Sequence, residues 1–70
     1  MDIGSQVASD ILLRLHQVMA VSGKSRASIY KDMKNGQFPR QVKITSRAAG
    51  WSRNEIEAWI EERKRARDDD

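Results

Sequence analysis

The chain has 70 residues, no cysteine, one histidine and a net charge of +3. A chain this short buries only about 60% of the surface its unfolded form exposes, which argues against a second domain and a roomy catalytic cleft. Without cysteine there is neither a disulfide staple nor a thiolate zinc site, so a small apolar core has to hold the fold.

Met1 to Ser9 has few large apolar residues and no sustained period. It is expected to be a flexible leader to a single domain at 10–67, with 68–70 as a frayed acidic tail. The start lacks the basic and apolar regions of a signal peptide, and no run of about 20 apolar residues exists to cross a membrane, so a cytoplasmic protein without a membrane partner is expected. Ile11-Leu12-Leu13-Arg14-Leu15 is a short apolar run that fits either a brief strand or the extended entry to a helix. Leu15, Val18, Met19 and then Val21 or Ser22 form an apolar stripe at helical spacing that stops at Gly23, which predicts a first helix of about two turns.

Gly23-Lys24 reads as the turn into a second helix, and two short helices joined by a glycine-containing turn make a helix-turn-helix. Ser25 is suited to the N-cap, because its hydroxyl can accept from a first-turn N–H. Gly36 suits the left-handed residue beyond the helix end, Lys34 meets the negative end of the dipole, and Pro39 prevents the helix resuming. Ile29, Tyr30 and Met33 share one face and are expected to pack inward with Phe38. Arg26, Ala27, Ser28 and Lys31 lie away from that face, towards the end that a recognition helix presents to base edges, with Lys24 and Lys34 at the margins.

Gln41-Val42-Lys43-Ile44 alternates as a half-buried strand does, Thr45-Ser46-Arg47 is turn-like, and Ala48-Ala49-Gly50-Trp51 can return as a partner strand, which predicts a small hairpin or wing. Ser52 with Glu55 forms a capping box, and Trp51 with Ile56 a hydrophobic staple, so a third helix starts there. Ile56, Trp59 and Ile60 mark its buried face, and its acids precede its bases, in agreement with the helix dipole. The expected fold is therefore mainly α with a small β-hairpin: a winged helix-turn-helix of three short helices plus wing.

Charge is segregated along this layout. Between Ile11 and Arg53 stand nine basic residues against Asp32 alone, a net of +8, while residues 1–10 carry −2 and residues 54–70 carry −3. A basic block framed by acidic ends points to one positive face suited to a polyanion, with Arg40, Lys43 and Arg47 adding to its attraction. Catalytic chemistry finds no support. His16 has no cysteine with which to share a metal, Glu61 and Glu62 point in different directions around a helix, and Gly23-Lys24-Ser25 fails as a phosphate loop because Val18 stands where its first glycine is needed. Neither an enzyme nor a metal, cofactor or small-molecule site is expected.

In combination, Leu12 to Val18, Ser25-Arg26-Ala27-Ser28-Ile29-Tyr30, Asn35-Gly36-Gln37-Phe38-Pro39, Val42-Lys43, Gly50-Trp51 and Glu55 to Ile60 resemble the AlpA family of prophage regulators. The likeness covers about residues 11 to 65. It implies a winged helix-turn-helix related to excisionases and to the DNA-binding domain of MerR regulators, acting on double-stranded DNA in the bacterial cytoplasm in association with the nucleoid. It further implies that Ser25, Arg26, Ser28 and Lys31 approach the major groove, and that the wing, here Lys43 to Arg47 with Thr45 and Ser46 at its tip, lies along the backbone or minor groove. Many relatives have glycines at that tip, and a helix-starting residue where this chain has His16. The expected function is transcriptional regulation of prophage or mobile-element genes. The alternatives are an excision factor that bends attachment-site DNA for an integrase, or a small interaction module that docks an acidic partner. Dimers or cooperative assemblies on DNA, and contacts with integrase or RNA polymerase, are the expected protein partnerships.

Overall fold

Two glycines with left-handed backbone punctuate the first half of the chain, and the helices stop at them. A computed structural model describes residues 10–69; the expected leader, Met1 to Ser9, and the terminal Asp70 lie outside the described residues. The elements are β1 (Leu12–Leu13), α1 (Leu15–Ser22), α2 (Arg26–Lys34), β2 (Val42–Thr45), β3 (Ala48–Ser52) and α3 (Arg53–Asp69).

α1 begins after Arg14, whose N–H donates to Gln17 Oε1 at 2.8 Å, and it ends at Gly23, where φ is 74°. Ser22 completes that end: its hydroxyl donates to the Val18 carbonyl and accepts from Lys24 N–H, while Val21 stays exposed. Ser25 caps α2 as expected, accepting from Ser28 N–H at 3.1 Å. At the other end the Gly36 N–H donates to the Met33 carbonyl and the Gln37 N–H to the Asp32 carbonyl. Together with φ of 73° at Gly36, this is a Schellman stop, which an L side chain would strain by about 1–2 kcal/mol.

The sheet has three strands in the order β1-β3-β2, antiparallel throughout. β2 and β3 are the expected hairpin. The third strand comes from before α1: Leu12 pairs with Ser52 and Leu13 with Trp51, so the ambiguous run at Ile11 to Leu15 is a brief strand that leads directly into a helix. Gly50, in the middle strand, lets its neighbours close in. A Cβ there would stand 3.0 Å from the Leu13 carbonyl oxygen and 3.2 Å from Leu12 Cβ.

Val18, Ile29, Phe38, Trp51 and Ile56 form the buried core, flanked by the half-buried Leu13, Leu15, Met19, Met33, Trp59 and Ile60. Every strand and helix except β2 contributes to it. Two expectations change. Tyr30 is 39% exposed and sits at the rim instead of inside, with its ring edge-on to Trp51 at 6.3 Å. β2 is exposed along its whole length, because Val42 and Ile44 lie on an edge strand and remain open at 42% each.

α3 is not short: it runs for 17 residues through Asp69, past Arg67. Ser52 Oγ accepts from Glu55 N–H, which is one half of the predicted capping box. Two further first-turn donors are met by the segment before β1, one of them by a side chain that sequence reading passed over. Asp10 accepts from Asn54 N–H at 3.1 Å and from the Ser52 hydroxyl at 2.8 Å, and Arg53 N–H donates to the Ile11 carbonyl. The Asn54 N–H, then the Ser52 hydroxyl, hold the Asp10 carboxyl below its ordinary value. A lowered folded-state pKa means that the unfolded chain takes up the proton first on acidification. The stabilisation is therefore complete above the ordinary carboxylate value of about 4 and is lost as pH falls through the lowered one. Thermal unfolding followed from neutral to acid pH should show this loss in the parent chain, whereas Asp10→Asn should start less stable and lack that acid-dependent increment. Parallel pH profiles for the two proteins would contradict it.

Candidate nucleic-acid interface

One face of α2 points to solvent, opposite the buried Ile29. Arg26, Ala27, Lys31 and Lys34 are exposed, Ser25 is exposed at the cap, and Ser28 is half-buried with its N–H committed to Ser25 Oγ. The Arg26 guanidinium lies 6.0 Å from the centre of the Tyr30 ring, one helical turn on, and Tyr30 in turn abuts the buried Trp51. A core residue thus supports a ring that supports the cation at the start of the helix. A cation over a tyrosine face at this range is held by about 0.5–1 kcal/mol at an exposed site.

Lys24 is placed differently from its neighbours. Its ammonium bonds to Asp32 across the turn, with both side chains about four-fifths buried, and it lies 5.7 Å from the ring centres of Phe38 and Trp59. Phe38 and Trp59 meet edge-to-face at 4.9 Å, and the Trp59 indole N–H donates to the Gln37 carbonyl. Lys24 therefore joins the turn, α2 and α3, and its charge is already answered by a carboxylate.

The wing tip closes without a left-handed residue, since positive φ among the described residues is confined to glycines. An irregularity between Lys43 and Thr45 supplies the local bend instead, and Thr45 Oγ1 accepts from Arg47 N–H at 3.1 Å. Thr45, Ser46 and Arg47 are all exposed. Between the wing and α2 lie two adjoining hollows. One, of about 360 Å³, is lined by Arg14, Tyr30, Lys43, Thr45, Ser46 and Arg47 among others; the other, of about 380 Å³, by Tyr30, Lys34, Arg40 and Lys43 among others. Tyr30, Gln41, Lys43 and Ala49 line both, and no carboxylate lines either.

Lys34, Arg40, Lys43, Thr45, Ser46 and Arg47 are thus gathered around two adjoining hollows beside the exposed Ser25, Arg26, Ala27 and Lys31 and the half-buried Ser28. Lys24 stands apart from them. Arg14 and Tyr30 were not anticipated as part of this surface. Arg14 is read from sequence as a helix lead-in, and only the return of β3 alongside β1 places it next to the wing. Among the described residues no group of acidic, histidine or cysteine side chains could hold a metal ion, and no helix is long and apolar enough to cross a membrane.

Residues 11–64 match the family described as prophage CP4-57 regulatory protein (AlpA). The chain belongs to this family. Protein ORF88 of Enterobacteria phage P4 is 35% identical over 54 residues, which cover 77% of this chain and 61% of that protein's length. The matched span runs from the residue before β1 into the fourth turn of α3, so it takes in the whole sheet, the helix-turn-helix and the core.

Proposed function

We propose that this AlpA-family chain regulates prophage or mobile-element genes by binding double-stranded DNA, with α2 in the major groove and the wing along the backbone. The observation that carries the reading is the exposed amino-terminal face of α2, bearing Arg26 and Lys31, set beside a trough whose walls hold cations and no carboxylate. An isolated trough of this kind would attract any polyanion; a capped helix beside it adds a row of exposed side chains of the kind that reads base edges. Arg26 is the candidate for a bidentate contact to guanine, Lys31 for a base or phosphate, and the Ser25 and Ser28 hydroxyls for phosphate. A single copy presents a single reading helix, so a site of ordinary specificity takes two or more copies side by side.

Mobility shift on random-sequence duplex across a salt series tests the reading. Binding should be present at low salt, and log K should fall linearly with log salt at a slope of about −0.9 per phosphate engaged. A chain that shifts no duplex even at low salt is not a DNA-binding protein, and docking of an acidic protein then becomes the better account of the basic face.

A further inference from the structure

The hollow between Tyr30 and the wing has the chemistry of an anion seat. Three cations line it, Arg14 from the lead-in to α1, Lys43 from β2 and Arg47 from the wing turn, and among the described residues none of the three is paired with a carboxylate. Like charges gathered without a counter-ion repel one another, so the cluster is stabilised by whatever anion enters it. Its lining also includes Tyr30, 39% exposed, and the buried Trp51. A hollow lined by three cations and no carboxylate takes an anion and disfavours a cationic group. It also adjoins the reading face, because the same Tyr30 ring carries Arg26.

We propose that a phosphodiester of the bound duplex seats in this hollow, with Arg14 and the Tyr30 hydroxyl as contacts alongside Lys43 and Arg47. The inference rests on the DNA-binding reading above and adds two residues to it. Arg14, some thirty positions before the wing, then clamps the strand that runs between α2 and the wing, and Tyr30 has two uses: its ring props Arg26 and its hydroxyl holds the backbone. A phosphate contact carries no sequence information directly, so its loss weakens all duplexes alike.

Fluorescence anisotropy on several short duplexes of unrelated sequence, each across a salt series, tests this with Arg14→Ala, Arg47→Ala and Tyr30→Phe, using thermal unfolding to confirm folding. Each arginine variant should lower the magnitude of the log–log salt slope by about 0.9 and weaken every duplex by a similar factor. Tyr30→Phe keeps the ring and hence Arg26's support, so a loss of about five-fold reports the hydroxyl alone. If Arg14→Ala fails to fold, Arg47→Ala and Tyr30→Phe still decide the matter. Unchanged slopes and affinities in the folded variants, while Arg26→Ala and Lys31→Ala bind more weakly, overturn the seat and leave the recognition helix standing. A change in preference among duplexes on losing Arg14 makes it a base contact and also overturns the proposal. No binding by the parent chain at low salt removes the DNA-binding reading itself.

Discussion

Trp51→Ala should lower the thermal midpoint by tens of degrees. Trp51 is 1% exposed, the largest fully buried side chain, and it packs with Val18, Ile29, Phe38 and Ile56. Truncating a buried tryptophan costs about 3–5 kcal/mol. A domain of this length has only roughly 4–10 kcal/mol in all, at 0.05–0.15 per residue. A change of that size moves the midpoint of so small a domain by about 12–40 °C, at 4–8 °C per kcal/mol. Neighbouring elements suffer together, because Trp51 is at once the β3 partner of Leu13, the staple to α3 through Ile56 and the support of Tyr30. Circular dichroism on heating checks this, with Trp59 left as a fluorescent reporter. A fall of less than about 5 °C would show that the core closes over the gap and that the staple contributes little.

Arg26→Ala should weaken binding to a cognate duplex by about 10–100-fold and relax discrimination at one base position, the effect of losing a bidentate arginine–guanine contact of 1–3 kcal/mol. Lys31→Ala should weaken it by a smaller factor and reduce the salt slope by about one if its contact is a phosphate. Neither substitution removes a buried group, so the thermal midpoint should hardly move for Lys31→Ala and should fall by only about 2–8 °C for Arg26→Ala, which loses the Tyr30 contact. Lys24→Ala is the contrasting case. Its ammonium is bonded to Asp32 and packed on two aromatic rings, so the loss should appear mainly in stability, where an unpaired and largely buried carboxylate is left behind. Cognate affinity and melting measured on all three variants separate these roles. Arg26→Ala and Lys31→Ala proteins that bind as the parent does would remove α2 from the reading surface.

The residues whose structure was legible in the chain are those whose partners lie three or four positions away. Ser25 and Ser28, Gly36 with Met33, and Ser52 with Glu55 are each joined by a hydrogen bond spanning one helical turn, from a backbone N–H to a serine hydroxyl or, at Gly36, to a carbonyl, and residue type alone signals such bonds. The apolar period likewise marked Val18, Ile29 and Ile56 as core. Tyr30 was misjudged because periodicity gives the direction in which a side chain leaves a helix, and not how far the core reaches along it. β2 was misjudged because alternation says which residues share a face without saying whether anything covers that face.

The sequence by itself determined where α1 stops, where α2 starts and stops, where α3 starts, where the hairpin turns and that the positive charge is concentrated between Ile11 and Arg53. These depend on local hydrogen bonds, backbone preference and composition, all of which act within a few residues. Only the tertiary structure decided that Leu12 and Leu13 add a third strand to the wing, that Asp10 caps a helix begun forty residues later, that Lys24 is bound to Asp32 and that Arg14 and Arg47 line one hollow. Apart from the Lys24–Asp32 pair, eight residues apart across the turn, these partners are separated by tens of residues and share no period or spacing that a linear reading can detect.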